Sequence, residues 1–206
     1  MHALILIDLQ NDFVPTGALA VPDGERVIPV VNRLQARFPL IVATKDWHPA
    51  DHGSFASQHP GRKPGEVVDL NGWPQVLWPD HCVQHTPGAE FVPTLQTQRL
   101  AGVFFKGTDP RIDSYSTFFD NGHRQATGLD VFLRNRQVDQ VYLAGLATDY
   151  CVKFSALDAV GLGFRVALIA DACRAVNLQS GDDDRALDEL RRAGVAIVTS
   201  EAAGLE

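Results

Sequence analysis

The sequence predicts a doubly wound α/β domain, and three observations lead there. Six short runs, Ala3–Ile7, Leu40–Thr44, Gly102–Phe105, Gln140–Ala144, Arg165–Ala170 and Ala196–Thr199, are nearly continuous in aliphatic and aromatic residues. Runs of that length without polar alternation suit strands buried on both faces, as in a parallel sheet. Helical patterns separate them, and strand–helix alternation of this kind argues for a parallel sheet covered by helices on both sides.

Taken in order, Val27, Ile28, Val31, Leu34 and Phe38 recur at helical spacing between the first two runs, with Asp23 placed to cap. Leu129, Phe132 and Leu133 mark a helix before the fourth run. Val152, Ala156, Leu157, Ala159 and Val160 mark the helix after it. The last helix opens on Asp182–Asp184, closes on Arg191 and Arg192 and is followed by Gly194. That charge order complements the helix dipole, so the acidic triplet reads as a helix start rather than a cation site. The stretch from Trp47 to Phe91 departs from the pattern, being rich in Pro, Gly, His and Trp with no periodicity. An irregular segment this long inside a compact domain points to function. The expectation is one domain over residues 1–206 with an irregular insertion at about 47–91.

Composition narrows the class. The 206 residues suffice for one well-buried domain, apolar content is 45% and the net charge is −7 without a basic run. A phosphate-backbone footprint is therefore absent, and no nucleic-acid partner is expected. The opening Met1-His-Ala-Leu-Ile-Leu-Ile-Asp8 lacks a basic leader and is too short to span a bilayer, so no membrane partner is expected either. Three cysteines, an odd number in an acidic chain, imply free thiols in a reduced, cytoplasmic setting.

In doubly wound sheets ligands bind at the carboxyl ends of the strands, near the switch in strand order. Asp8 ends the first run, Lys45-Asp46-Trp47-His48 follows the second, Lys106 ends the third, and Ala147-Thr-Asp-Tyr-Cys151 follows the fourth. Cys151 stands where a strand gives way to a helix, a position whose free N–H groups and dipole favour a thiolate and can hold an oxyanion. A carboxylate on a buried strand end, as at Asp8, has its pKa raised, which suits a proton carrier. Lys106, behind Val-Phe-Phe, needs an anionic partner, and Asp8 is the candidate. Asp46-x-His48 supplies an oxygen and an imidazole. A third metal ligand is best offered by His81, with His52, His59 and His85 in the same stretch as rivals. His52 and His85 read as neighbours of a metal or surface groups, His2 and His123 as structural or exposed. Cys82 and Cys173 read as buried thiols.

Five segments together carry a resemblance: Ile7-Asp8-Leu-Gln-Asn-Asp-Phe13, Thr44-Lys-Asp46-Trp-His48-Pro, Trp78-Pro-Asp-His81-Cys-Val, Phe105-Lys106-Gly, and Gly145-Leu-Ala147-Thr-Asp-Tyr-Cys151-Val. In register over essentially the whole chain, the set resembles the isochorismatase-like hydrolases, specifically their nicotinamidase branch. The resemblance implies a six-stranded parallel sheet and hydrolysis of nicotinamide to nicotinate and ammonia in NAD salvage, through a thioester. It implies Asp8, Lys106 and Cys151 as catalytic triad, and Asp46, His48 and His81 as ligands of one divalent metal (Zn, Fe or Mn) that holds the ring nitrogen and waters. A cis peptide before Ala147, an oxyanion hole of the Ala147 and Cys151 N–H groups, and aromatic walls from Phe13, Trp73 and Tyr115 follow from the same likeness. The partner expected is a small carboxamide, and homo-oligomerisation is allowed. Position 85 departs from the family, whose members have a small residue there; His85 would either alter the metal's surroundings or face solvent. Competing readings are a sister amidohydrolase acting on a ureido or carbamoyl amide, which would not need the metal set, and a non-catalytic binding protein, which would not need the triad.

Overall fold

The computed structural model describes residues 1–203; the last three residues of the expected domain lie outside the described residues. Six parallel strands form one sheet: β1 (His2–Ile7), β2 (Ile41–Asp46), β5 (Val103–Lys106), β6 (Gln140–Leu146), β7 (Arg165–Arg174) and β8 (Ala196–Val198). Their spatial order is β5-β2-β1-β6-β7-β8. The chain therefore winds outward from β1 in one direction and from β6 in the other, which puts the switch in strand order between β1 and β6.

Alternation along the central strands builds two cores. Leu4 and Leu6 face a layer shared with Val27, Val31 and Leu34 of α1 (Val27–Leu34), whereas Ala3, Ile5 and Ile7 face the other. That second layer takes Leu129 and Leu133 of α2 (Leu129–Arg134), Ala156 and Ala159 of α3 (Lys153–Gly161) and Leu190 of α4 (Asp182–Arg192). Small residues on α3 let it approach closely. Gly145 is needed where β1 and β6 meet: its φ is +136°, and a Cβ there would lie 2.1 Å from the Ile7 carbonyl oxygen.

Three expectations change on contact with the structure. Asp23 makes no side-chain cap; it sits in a left-handed conformation and a 3₁₀ turn, Gly24–Arg26, leads into α1. The third run is an edge strand rather than a two-face-buried one, so Val103 and Phe105 are exposed while Lys106, on the alternate face, is buried. The irregular stretch contains an antiparallel hairpin, β3 (Val67–Leu70) and β4 (Trp73–Val76), turned by Asn71-Gly72 with both residues at positive φ. Asn-Gly is the strongest two-residue hairpin signal, and it was present in the sequence. Among the described residues no helix is long and apolar enough to cross a membrane.

Candidate active site

The strand ends flanking the switch point bring the chemistry together. Asp8 leaves β1 at φ +51°, which takes the chain out of the ladder and turns it into the Asn11–Phe13 loop. Across the switch, β6 ends at Leu146, the Leu146–Ala147 peptide bond is cis, and a wide helical turn over Thr148–Val152 carries Cys151 before α3 begins. Lys106 reaches in from the end of β5, two strands away from β1.

Asp8, Lys106 and Cys151 form one buried cluster. The Lys106 Nζ lies 2.9 Å from Asp8 Oδ2 and 3.4 Å from Cys151 Sγ. It also donates to the Ser114 carbonyl at 3.0 Å and pairs with Asp46 Oδ1. Thr44 Oγ1 donates to Asp8 Oδ1 at 2.7 Å. Asp8 Oδ2 has the ion pair but no aligned hydrogen bond, which makes it the oxygen open to a proton.

Burial raises the Asp8 pKa, and the nearby Lys106 ammonium and Thr44 hydroxyl only partly offset it. Burial also resists charge on Lys106, yet Asp46 and Asp8 hold its ammonium well above the usual range. For Cys151 burial wins: the thiol is pushed well above its ordinary range, with Lys106 opposing and Asp8 and Asp46 adding to the shift. The helix-end position alone thus does not produce a resting thiolate. Burial thus works against a thiolate, and a base beside the sulfur is what the chemistry needs.

Asp46, His48 and His81 meet beside this cluster, all buried. Asp46 Oδ2 is 3.7 Å from Nε2 of both imidazoles. Donors about 2.1 Å from one metal at tetrahedral angles stand about 3.4 Å apart, so these three fit a shared ion. Hydrogen bonding fixes the ring nitrogens. His48 Nδ1–H donates to the Gly107 carbonyl at 2.8 Å and His81 Nδ1–H to the Pro79 carbonyl at 2.8 Å. A carbonyl only accepts, so each Nδ1 carries a proton and each Nε2 is the nitrogen turned toward Asp46, the one that can bind a metal. Asp46 is thereby divided: Oδ2 faces the imidazoles and Oδ1 faces Lys106. Burial works against its charge, but Lys106 and then His48 hold its carboxyl well below the usual range.

The rival histidines part from this set. His52 is fully buried against His48, with ring centroids 4.3 Å apart. Its Nδ1 accepts from the Ser54 N–H at 3.2 Å, which places the proton on the buried Nε2. Burial depresses its pKa to about 4, so the ring is neutral. His59 Nε2 bonds the Gly53 carbonyl. His85 is exposed at φ +65° with its ring edge on Trp47, away from the three-ligand cluster. His2 packs against Phe38 and Tyr142, and His123 is exposed beside Asp158. Cys82 and Cys173 are buried free thiols, the Cys82 N–H being tied to Asp12 at 2.7 Å.

Cys151 of the first group and all three residues of the second line one cavity with about 380 Å³ of empty space including its mouth. Cys151 and Ala147 stand on one side, Asp46, His48 and His81 on another, and Phe13, Trp78, Tyr115 and Tyr150 provide aromatic walls. Of the three aromatics expected there, Phe13 and Tyr115 are present. Trp73 is not: it lies on β4 in a separate outer groove, with Arg124 over its ring. Trp78 takes that wall instead, its Nε1–H donating to the Tyr115 hydroxyl at 3.2 Å. Trp78 stands in the same segment as His81, so the signal was at hand. The buried Asp113 carboxylate also lines the cavity, accepting from Gln75 Nε2 at 2.9 Å and the Ser114 N–H at 2.8 Å. Nothing in the local sequence marks Asp113.

Comparison with known proteins fits this geometry. The isochorismatase domain model matches residues 2–202. The chain belongs to the isochorismatase family. It is 52% identical to the nicotinamidase of Escherichia coli K12, the alignment covering 96% of this chain and 94% of that one. A solved nicotinamidase and pyrazinamidase of Acinetobacter baumanii superposes with a TM-score of 0.94 at 44% identity, over 97% of this chain and 96% of that one. A pyrazinamidase of Pyrococcus horikoshii solved with zinc gives 0.78 at 40% identity, over 96% and 98% of the two chains.

Proposed function

We propose that this protein is a nicotinamidase that hydrolyses nicotinamide to nicotinate and ammonia in NAD salvage in the cytoplasm, as a single domain. One observation carries the reading: Cys151, with Lys106 and Asp8 buried behind it, and the three-ligand Asp46–His48–His81 cluster face the same aromatic-walled cavity. A carboxamide on a flat pyridine ring needs both, a nucleophile for the carbonyl and a partner for the ring nitrogen. The relatives named nicotinamidase and pyrazinamidase support it.

The steps follow from the protonation states. Asp8 takes the proton of the Cys151 thiol, which Lys106 makes easier by stabilising the forming thiolate. The sulfur attacks the carboxamide carbon, and the oxyanion rests on the Ala147 and Cys151 N–H groups. A backbone donor of that kind is worth roughly 3 kcal/mol. Asp8 returns its proton to the leaving nitrogen as the C–N bond breaks, releasing ammonia and leaving a thioester on Cys151. Water then gives a proton to Asp8 and attacks the thioester; the C–S bond breaks, the acid leaves and the sulfur recovers its proton. Lys106 stays an ammonium throughout. Asp46, His48 and His81 would hold one divalent ion, whose open positions supply a Lewis-acid contact for the pyridine nitrogen and ordered waters. Phe13, Trp78 and Tyr115 orient the ring.

Rapid-quench mass spectrometry tests the covalent step. A nicotinoyl adduct on the peptide carrying Cys151, absent from Cys151→Ala, is expected. Turnover without any adduct in the pre-steady state, or an adduct elsewhere, contradicts the reading.

A further inference from the structure

Asp46 carries two duties on one carboxylate, so its placement must be tight, yet its own strand cannot supply that. The β1–β2 ladder ends at the Leu6–Ala43 pair, because β1 turns away at Asp8. On the opposite side Asp46 is in register with Lys106 of β5, and the next rung there is the Trp47 N–H donating to the Lys106 carbonyl at 2.9 Å. The Asp46 N–H and C=O point the other way, toward the place β1 has vacated.

Gln10 fills that place. Its Oε1 accepts the Asp46 N–H at 2.8 Å, and its Nε2 donates to the Asp46 carbonyl at 2.7 Å. The second Nε2 hydrogen goes to the Ala89 carbonyl at 2.9 Å. A carboxamide has the donor and acceptor of a peptide group, so the side chain continues the sheet for one rung past the point where the backbone stops. Gln10 is fully buried, and its own N–H is tied to the Asp8 carbonyl at 2.9 Å. One side chain therefore joins the ends of β1 and β2 and the Pro87–Ala89 turn. It does not line the cavity that Cys151 and the three ligands line.

We propose that Gln10 is a positioning residue that holds the Asp46 main chain, keeping Oδ2 toward His48 and His81 and Oδ1 toward Lys106. This rests on the metal-site reading above, and acts through it. Partners that orient a metal ligand typically change metal affinity or activity by 10–100-fold when removed. Here the ligand is held by its backbone rather than through its carboxylate oxygens.

The test uses the full-length protein and zinc as the probe, with affinity read by competition against a chromophoric chelator. Gln10→Met keeps the volume and removes every hydrogen bond. Gln10→Glu keeps the size and an acceptor for the Asp46 N–H, but sets a carboxylate against two carbonyls. Both variants are expected to fold by circular dichroism, to bind zinc roughly 10- to 100-fold more weakly than wild type, and to lose kcat more than they raise KM. Gln10→Asn, one methylene short, falls between them and wild type. Wild-type zinc affinity in either folded variant overturns the proposal, as does failure of both to fold, which would make Gln10 a structural residue only. If wild type itself binds no zinc, it is the metal-site reading that fails. The ratio between variant and wild type reports Gln10, and the wild-type value reports the site.

Discussion

In the proposed reaction Asp8 takes a proton, holds it through one bond change and gives it back, and two contacts decide at what pH it can do so. Burial raises its pKa, while Lys106 and the Thr44 hydroxyl hold it down. The base works only when ionised, so kcat/KM falls as pH drops through the raised pKa. Thr44→Val keeps the shape and removes the hydroxyl. A hydrogen bond to a charged group is worth about 1.5–3 kcal/mol, so the acidic limb of the kcat/KM profile moves to higher pH by about one to two units. An unshifted limb would show that Thr44 does not tune Asp8. The placing of Asp8, Lys106 and Cys151 was legible because each lies at or just past the end of a strand run, where a parallel sheet gathers its chemistry. Gln10 and Asp113 were not, since their roles depend on distant partners: the Asp46 and Ala89 main chain for Gln10, the Gln75 side chain for Asp113.

At the scale of an element, the turn after β5 is fitted to the metal set. Gly107 has φ +65°, its carbonyl accepts from His48, and a Cβ on it would lie 2.3 Å from His48 Cε1. His48 is buried against His52, Phe55 and His81, so it can yield only by leaving that packing. Gly107→Ala therefore displaces the imidazole and adds about 1–2 kcal/mol of left-handed backbone strain. Zinc affinity is expected to fall at least tenfold, read by chelator competition; an unchanged value would remove Gly107 from the account. The strand runs themselves were readable in sequence to within a few residues, because a buried parallel strand is nearly all apolar. The β3–β4 hairpin was not read, since its strands are four residues each, mixed in polarity and partly exposed, and only Asn71-Gly72 announced it. The edge position of β5 escaped for a different reason: exposed Val103 and Phe105 look the same in sequence as buried ones. Trp73 was misplaced with the hairpin that carries it.

For the whole molecule, the site is a junction of segments far apart in sequence: the ends of β1, β2 and β5, the turn after β6, and the 78–91 loop. A ligand that ties β2 to that loop through Asp46, His48 and His81 should stabilise the entire fold. With zinc at a hundred times its dissociation constant the gain is about 2.7 kcal/mol. For a domain of this size that raises Tm by roughly 5–10 °C, and chelation reverses it. A melting curve indifferent to zinc would argue against binding by the folded state. The convergence of four strand ends was foreseeable from the parallel-sheet rule. The division of Asp46 between the imidazoles and Lys106 was not, because it depends on β5 lying beside β2 rather than beside β6.

The central claim is that one thiol and one metal set act on the same pyridine carboxamide, and ammonia release from nicotinamide tests it most directly. The assay compares wild type, Cys151→Ala and chelator-stripped wild type. Rapid release by wild type, a loss on the order of 10⁴-fold or more in Cys151→Ala, and a fall on stripping that zinc restores are expected. No release from metal-replete wild type, with turnover of a ureido or carbamoyl amide instead, would contradict it.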